Sequence, residues 1–145
     1  MKNFYETMDT ELLEVVIELG SISKFGAPWA TVALNNKQVY NTYVADRAIV
    51  RQKVDLLEPI DIAITLSKKI YNEHAETALL INSIKIDGIE LMPDSCHLAN
   101  YENDQQNNSP TTYLGFNGTW KFSTDRPFYQ WLHQTTGQGW LLEPM

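Results

Sequence analysis

The 145-residue chain has a single cysteine, Cys96, so no internal disulfide can staple it and stability must come from a packed core. That thiol reads as an inert loop or core residue. Cations are few: 11 Lys and Arg against 18 Asp and Glu leave a formal charge of -7. This excludes nucleic acid as an expected partner, because a phosphate backbone selects for Lys and Arg. No window approaches the ~20 apolar residues that cross a bilayer, so no membrane insertion is expected. The opening Met1-Lys2-Asn3-Phe4-Tyr5-Glu6 lacks the apolar stretch of a secretory signal, which points to a cytoplasm as the place of synthesis.

Catalytic patterns are missing as well. The histidines His74, His97 and His133 form no metal-type pair, and one Cys96 beside His97 is too little for a zinc site. Neighbours on a strand point to opposite faces, so Cys96 and His97 are poorly placed as nucleophile and base. There is no phosphate loop, nucleophile elbow or acidic calcium-loop spacing. No catalytic residue, metal ligand or cofactor is assigned, and the chain is not expected to be an enzyme. The carboxylate pairs Asp87/Glu90 and Asp94/Glu102 suit a structural calcium ion at a loop better than they suit a hydrolase, and that ion is left open.

What the chain has in quantity is alternation, which buries every second side chain of a strand. Leu13, Val15, Ile17 and Leu19 point one way while Glu14 and Glu18 point the other. Ala30, Val32 and Leu34 repeat the pattern, Asn35-Asn36-Lys37 reads as a tight hairpin turn, and Gln38–Ala45 is the return strand. Val50, Val54 and Leu56 oppose Arg51, Lys53 and Asp55, and Glu58-Pro59 interrupts that run. Ile60, Ile62, Ile64 and Leu66 then alternate with Asp61, Ala63, Thr65 and Ser67, the cleanest strand of all. Thr77–Ile86 is more continuously apolar, as for an interior strand, and Asp87-Gly88 supplies a turn before Ile89-Glu90-Leu91.

Met92 to Thr112, rich in Asn, Asp and Gln, reads as one long polar loop. Strand chemistry returns in Tyr113–Phe122, where Gly115 and Gly118 mark a bulge or bend. Thr124-Asp125 reads as the cap of a short helix with Pro127 in its first turn. Phe128, Trp131 and Leu132 lie at helical spacing, with Gly137 or Gly139 as the stop. Trp140-Leu141-Leu142 closes the chain as an apolar strand or anchor. The expectation is one domain over residues 1–145, mostly β: an antiparallel, jelly-roll-like sandwich with one short C-terminal helix.

Residues 113–145 hold half of the chain's Trp, Tyr and Phe residues. Such rings form cores, anchor protein interfaces or stack on sugars. Phe116, Trp120 and Phe122 alternate and are expected to be mostly core, whereas Tyr129, Trp131 and Trp140 are expected at the surface. The candidate partner- or sugar-binding residues are Trp120, Tyr129, Trp131 and Trp140.

Three stretches, Ala30-Thr31-Val32-Ala33-Leu34-Asn35-Asn36, Ile60–Ser67 and Ile84–Leu91, follow one another as hairpin, alternating strand and Asp-Gly turn. In this order the chain resembles the β-sandwich modules of carbohydrate-binding domains and of accessory proteins in tailed-bacteriophage virions. Leu114–Trp120 followed by Phe128–Leu132 is also similar to such virion proteins. The resemblance implies a non-catalytic binding or structural subunit of a virion (head decoration, tail, baseplate or fibre). Its partners would be other virion proteins or further copies of itself, and it would pass from the host cytoplasm into the virion. The alternative it implies is a carbohydrate-binding module for a bacterial surface glycan.

Overall fold

The computed structural model describes residues 12–23, 26–69, 77–92, 95–105 and 111–136, with Cys96 and Thr136 described by their backbones alone. Two antiparallel five-stranded sheets face each other. The first takes the order β4-β1-β6-β7, built from β4 (Arg47–Asp55), β1 (Leu12–Ser23), β6 (Thr77–Ile86) and β7 (Ile89–Met92), with β9 (Tyr113–Leu114) also on β6. The second takes the order β3-β2-β5-β10-β8, built from β3 (Lys37–Tyr43), β2 (Trp29–Leu34), β5 (Pro59–Ser67), β10 (Gly118–Pro127) and β8 (Asn100–Asn103). This is the antiparallel sandwich that the alternation predicts, and the one described α-helix, α1 (Phe128–Thr136), follows β10.

Alternation decides which faces meet. Leu13, Val15, Ile17 and Leu19 of β1 and Ile60, Ile62, Ile64 and Leu66 of β5 are all buried in one core. Each such side chain contributes roughly 1.5–3 kcal/mol by leaving water. The continuous apolar run of β6 has a specific cause. The register against β1 slips between Glu18 and Leu19, so β6 changes phase near Asn82 and buries Leu79 and Ile81 before the slip, Ile84 and Ile86 after it. Gly20 lies across from this bulge, where a Cβ would come within 2.6 Å of the Asn82 side-chain nitrogen.

Both tight turns read from sequence are present. Asn35 and Asn36 have φ of 49° and 67°, and Asp87 and Gly88 have 53° and 81°. Two successive left-handed residues match the right-handed twist of a hairpin, and Asn, Asp and Gly tolerate that conformation best. Pro59 opens β5, a position where its missing N–H is harmless.

Two expectations are corrected. The segment Met92–Thr112 is not one loop: a 3-10 turn at Cys96–Leu98 leads into β8, which pairs with β10. Cys96 and His97 therefore sit on that turn and not on a strand. Tyr101 drives the change, being only 3% exposed, with its hydroxyl bonded to the backbone of Phe116. The helix cap also differs. Thr124 is buried and spends its hydroxyl on joining strands, accepting from Ile60 N–H at 2.9 Å and donating to Arg126 O at 2.6 Å. Pro127 ends β10 immediately before the helix begins.

Helix α1 packs Phe128, Trp131 and Leu132 into the core and stands Tyr129 at its margin, where the phenol donates to Asp87 Oδ2 on the β6–β7 turn. Burial first, then this bond and the charge of Asp87, pushes the Tyr129 hydroxyl up to about 12. Because the folded value lies above the ordinary one of 10.0, the stabilisation is whole below about pH 10. It is lost as pH rises through about 12. A tyrosinate absorbance titration should include a late phase near that value, and Tyr129→Phe should remove that phase. A second test concerns Gly118, where a Cβ would stand 2.3 Å from the Glu102 carbonyl oxygen. Gly118→Ala should destabilise the fold by about 1–3 kcal/mol, measured by denaturant unfolding, and speed amide exchange across residues 100–103.

Candidate functional site

Of the four aromatic candidates, Trp120 is 0% exposed and lies in the core, its indole N–H donating to Thr111 O at 2.8 Å. Trp131, expected at the surface, is 7% exposed. It meets Phe122 edge-on at 5.5 Å and stacks beside Phe128 at 6.0 Å. An α-helix ending a sandwich has to cover the open end of the core, and these rings do so. Tyr129 is half-buried and engaged with Asp87. Trp140 and the run Trp140-Leu141-Leu142 lie outside the described residues, as do His74, Asp94, Gly137 and Gly139.

The two outer faces differ in chemistry. On the first sheet, charged residues alternate and pair: Arg47 with Glu18 at 3.1 Å, and Arg51 with Glu14 at 3.7 Å. The second sheet presents short, uncharged side chains along one row of its three middle strands. Register aligns Asn41, Thr31, Thr65, Thr119 and Glu102 in one row across all five strands. The row below it runs through Ala33, Ala63, Lys121 and Asn100. Thr65 and Thr119 share a hydrogen bond between hydroxyls at 3.0 Å. At ~4.8 Å between strands the first row is roughly 19 Å long.

At one end of this face is an open pocket of about 530 Å³, lined by Trp29, Tyr43, Ser67, Lys68, Lys69 and Thr77, with residues 26–28 as its wall. Trp29 and Tyr43 are cross-strand partners whose rings meet edge-to-face at 4.7 Å. The indole is fixed: its N–H donates to Asn41 Oδ1 at 2.9 Å, and Thr31 donates to the same oxygen at 3.0 Å. Val44 N–H donates to Pro28 O at 2.8 Å and closes the hairpin beneath the rings. Tyr43 remains 55% exposed.

The opposite wall is strained. Lys68 has φ of 63°, a left-handed conformation worth roughly 1–2 kcal/mol of strain for a residue with a Cβ. Asn117 holds the turn by pairing with the Lys69 backbone in both directions, accepting from N–H at 2.9 Å and donating to O at 3.0 Å. Lys69 Nζ donates to Gly115 O. Lys68 Nζ stands 3.7 Å from the centre of the Trp29 ring, a cation–π contact that places an ammonium beside the exposed tyrosine.

A second pocket of about 500 Å³ lies at the other end of the same face, where Ala33, Asp61, Ala63, Leu98, Asn100 and Lys121 line it. Calcium takes six to eight oxygen ligands, and the described residues do not fit that demand. Asp87 receives the Tyr129 hydroxyl, Glu90 receives the Ser83 hydroxyl at 3.1 Å, and Glu102 pairs with Lys121 at 3.8 Å. No group of three or more acidic, His or Cys side chains is gathered among the described residues.

Sequence reasoning missed Trp29, Tyr43 and Lys68. The signal for Trp29 was present. The alternation that puts Ala30, Val32 and Leu34 inside puts Trp29 outside with Thr31, and a tryptophan on a polar face is an aromatic without a core to fill. Lys68 carries no such mark, because its position depends on a turn that Asn117 closes from 48 residues away.

No family model matches the sequence, nor does any curated protein. Among solved structures the sandwich is similar to a selenomethionine form of vCBM60, from a study linking two families of calcium-dependent carbohydrate-binding modules by circular permutation. The TM-score is 0.54 at 8% identity, over 76% of this chain and 89% of that one. It is also similar to vCBM60 in complex with galactobiose, with a TM-score of 0.51 at 8% identity, over 75% of this chain and 96% of the other. At that identity the likeness is one of fold: the chain shares the β-sandwich of vCBM60.

Proposed function

We propose that this chain is a non-catalytic carbohydrate-binding module that takes a glycan on the open face of its second sheet. The observation that carries the reading is the exposed Tyr43 ring, set by Trp29 in the row next to one of hydroxyl and amide side chains. A pyranose offers an apolar C–H face and a rim of hydroxyls. An aromatic ring suits the first, and neutral donors and acceptors such as Asn41, Thr31 and Thr65 suit the second. Pockets that combine an aromatic body with a few placed polar groups are where small ligands bind. The shared fold with vCBM60, solved with galactobiose, supports the same reading.

The virion-subunit reading has less behind it. Of the aromatics expected at the surface, Trp131 is buried, and the two similar structures named above are carbohydrate-binding modules. Exposed large apolar residues such as Leu12, Ile49 and Leu57 belong to different strands and turns. Scattered single residues of this kind are ordinary surface.

A glycan array followed by calorimetry tests the proposal. Binding of at least one oligosaccharide is expected, and Tyr43→Ala should weaken it about tenfold or more, the usual loss for an aromatic anchor. Tyr43→Ala should leave the unfolding midpoint nearly unchanged, since the ring is largely outside the core. Equal affinity of the variant for the same sugars would move the site away from this pocket. Arms with added calcium and with EDTA belong in the same series, because loss of binding in EDTA would assign metal donors to residues beyond the described ones.

A further inference from the structure

The chain is acidic overall, with 18 Asp and Glu against 11 Lys and Arg. The pocket beside Tyr43 reverses that sign. Lys68 and Lys69 both line it, and no described lining residue is acidic. Among the described residues Lys68 makes no ion pair, and its ammonium lies on the face of Trp29, with Nζ 3.7 Å from the ring centre. That contact has two consequences. It covers one face of Trp29, leaving Tyr43 as the ring open to a ligand. It also holds an ammonium at a fixed place, although a lysine on a strand end ordinarily moves with solvent.

The hold is built from several independent parts. Trp29 is locked by its bond to Asn41, and the Lys68 backbone keeps a left-handed φ of 63°. Asn117 grips the next residue through two bonds. An ammonium pre-positioned over an aromatic face retains donors that the ring does not satisfy, and it loses little freedom when an anion arrives. A neutral sugar can accept its hydrogen bonds, but only an anion also meets its charge.

We propose that this pocket selects an anionic pyranose, one bearing a carboxylate or a sulfate ester, with Lys68 as the group that receives the charge. The inference rests on the glycan reading of the same pocket. Carboxylate and sulfate are both acceptors for a charged N–H donor, and such bonds are about twice as strong as neutral ones.

Calorimetry on the full chain with three size-matched probes tests it: a uronic acid oligomer, a sulfated galactan oligomer and a neutral galactan oligomer. The expected result is a preference of about tenfold or more for at least one acidic probe over the neutral one. Which acidic probe is preferred identifies the source of the anion. Lys68→Asn, which suits the left-handed backbone and removes the charge, should abolish the preference, and Lys68→Arg should keep it. Lys85→Asn, on the outer face of the other sheet, makes the same change in net charge and should leave the preference intact. Circular dichroism of each variant confirms the fold. Equal affinity of the native chain for acidic and neutral probes overturns the anionic selection while the glycan reading stands. So does a preference that survives Lys68→Asn. Absence of binding to all three probes and to the array overturns both.

Discussion

Strand β5 lies between β2 and β10, and hydrogen bonds on both sides hold it in register. Its alternation is unbroken from Ile60 to Ser67. Each isoleucine or leucine sent inward to the core therefore sends an Asp, Ala, Thr or Ser outward. A strand has no other way to turn its side chains. One constraint thus builds both the packed interior and the polar face. A slip of one residue would bury Asp61 and Thr65 and expose four large apolar side chains, so the register is strongly specified. The chemistry of the open face is inherited from the same pairing that stabilises the fold.

The ends of that face are finished by devices that add little to the core. At one end the β2–β3 hairpin brings Tyr43 opposite Trp29, and Asn41 orients the indole. Asn117, just before β10, bonds to the backbone just after β5 and keeps the Lys68 turn in its strained shape. Backbone strain with a dedicated brace is more informative than strain alone, since a turn serving only to connect would relax to a conformation suiting lysine. Among the described residues the first sheet has no comparable arrangement on its outer face. There, paired Glu and Arg side chains satisfy one another at exposed positions, where such pairs are worth about 0–1 kcal/mol.

Most of the fold was legible in the sequence because it rests on local signals. Alternation located β1, β2, β4 and β5, and Asn35-Asn36 and Asp87-Gly88 located two turns by the backbone they permit. The misreadings share a cause, which is tertiary pairing of residues with weak local preference. Four residues, Asn100–Asn103, are too few to show a period, and only their pairing with β10 makes them a strand. Thr124 looked like a cap because Ser, Thr and Asp favour helix starts. A buried N–H of Ile60 made a competing demand on the same hydroxyl and won it. The candidate site was legible by halves: the outward position of Trp29 follows from alternation, but its pairing with Tyr43 and the placement of Lys68 follow from hairpin register and a distant clamp.

The distribution of aromatics carries a more general argument. Their density in the last third suggested a binding surface, yet Trp120, Phe122, Phe128 and Trp131 form one continuous cluster under helix α1. A sandwich closed at one end by a nine-residue helix needs wide, flat side chains to fill the gap between two sheets. Density of aromatics therefore reports where a core is being closed. The aromatics that mark a site are those whose strand phase turns them away from the core and which are still held in place by specific bonds. Trp29 meets both conditions, through its position between inward Pro28 and Ala30 and through its bond to Asn41. Tyr43 meets the first, and Trp29 itself supplies the second through the edge-to-face contact. Phase and restraint together separate these two rings from the other described aromatics, which composition alone does not do.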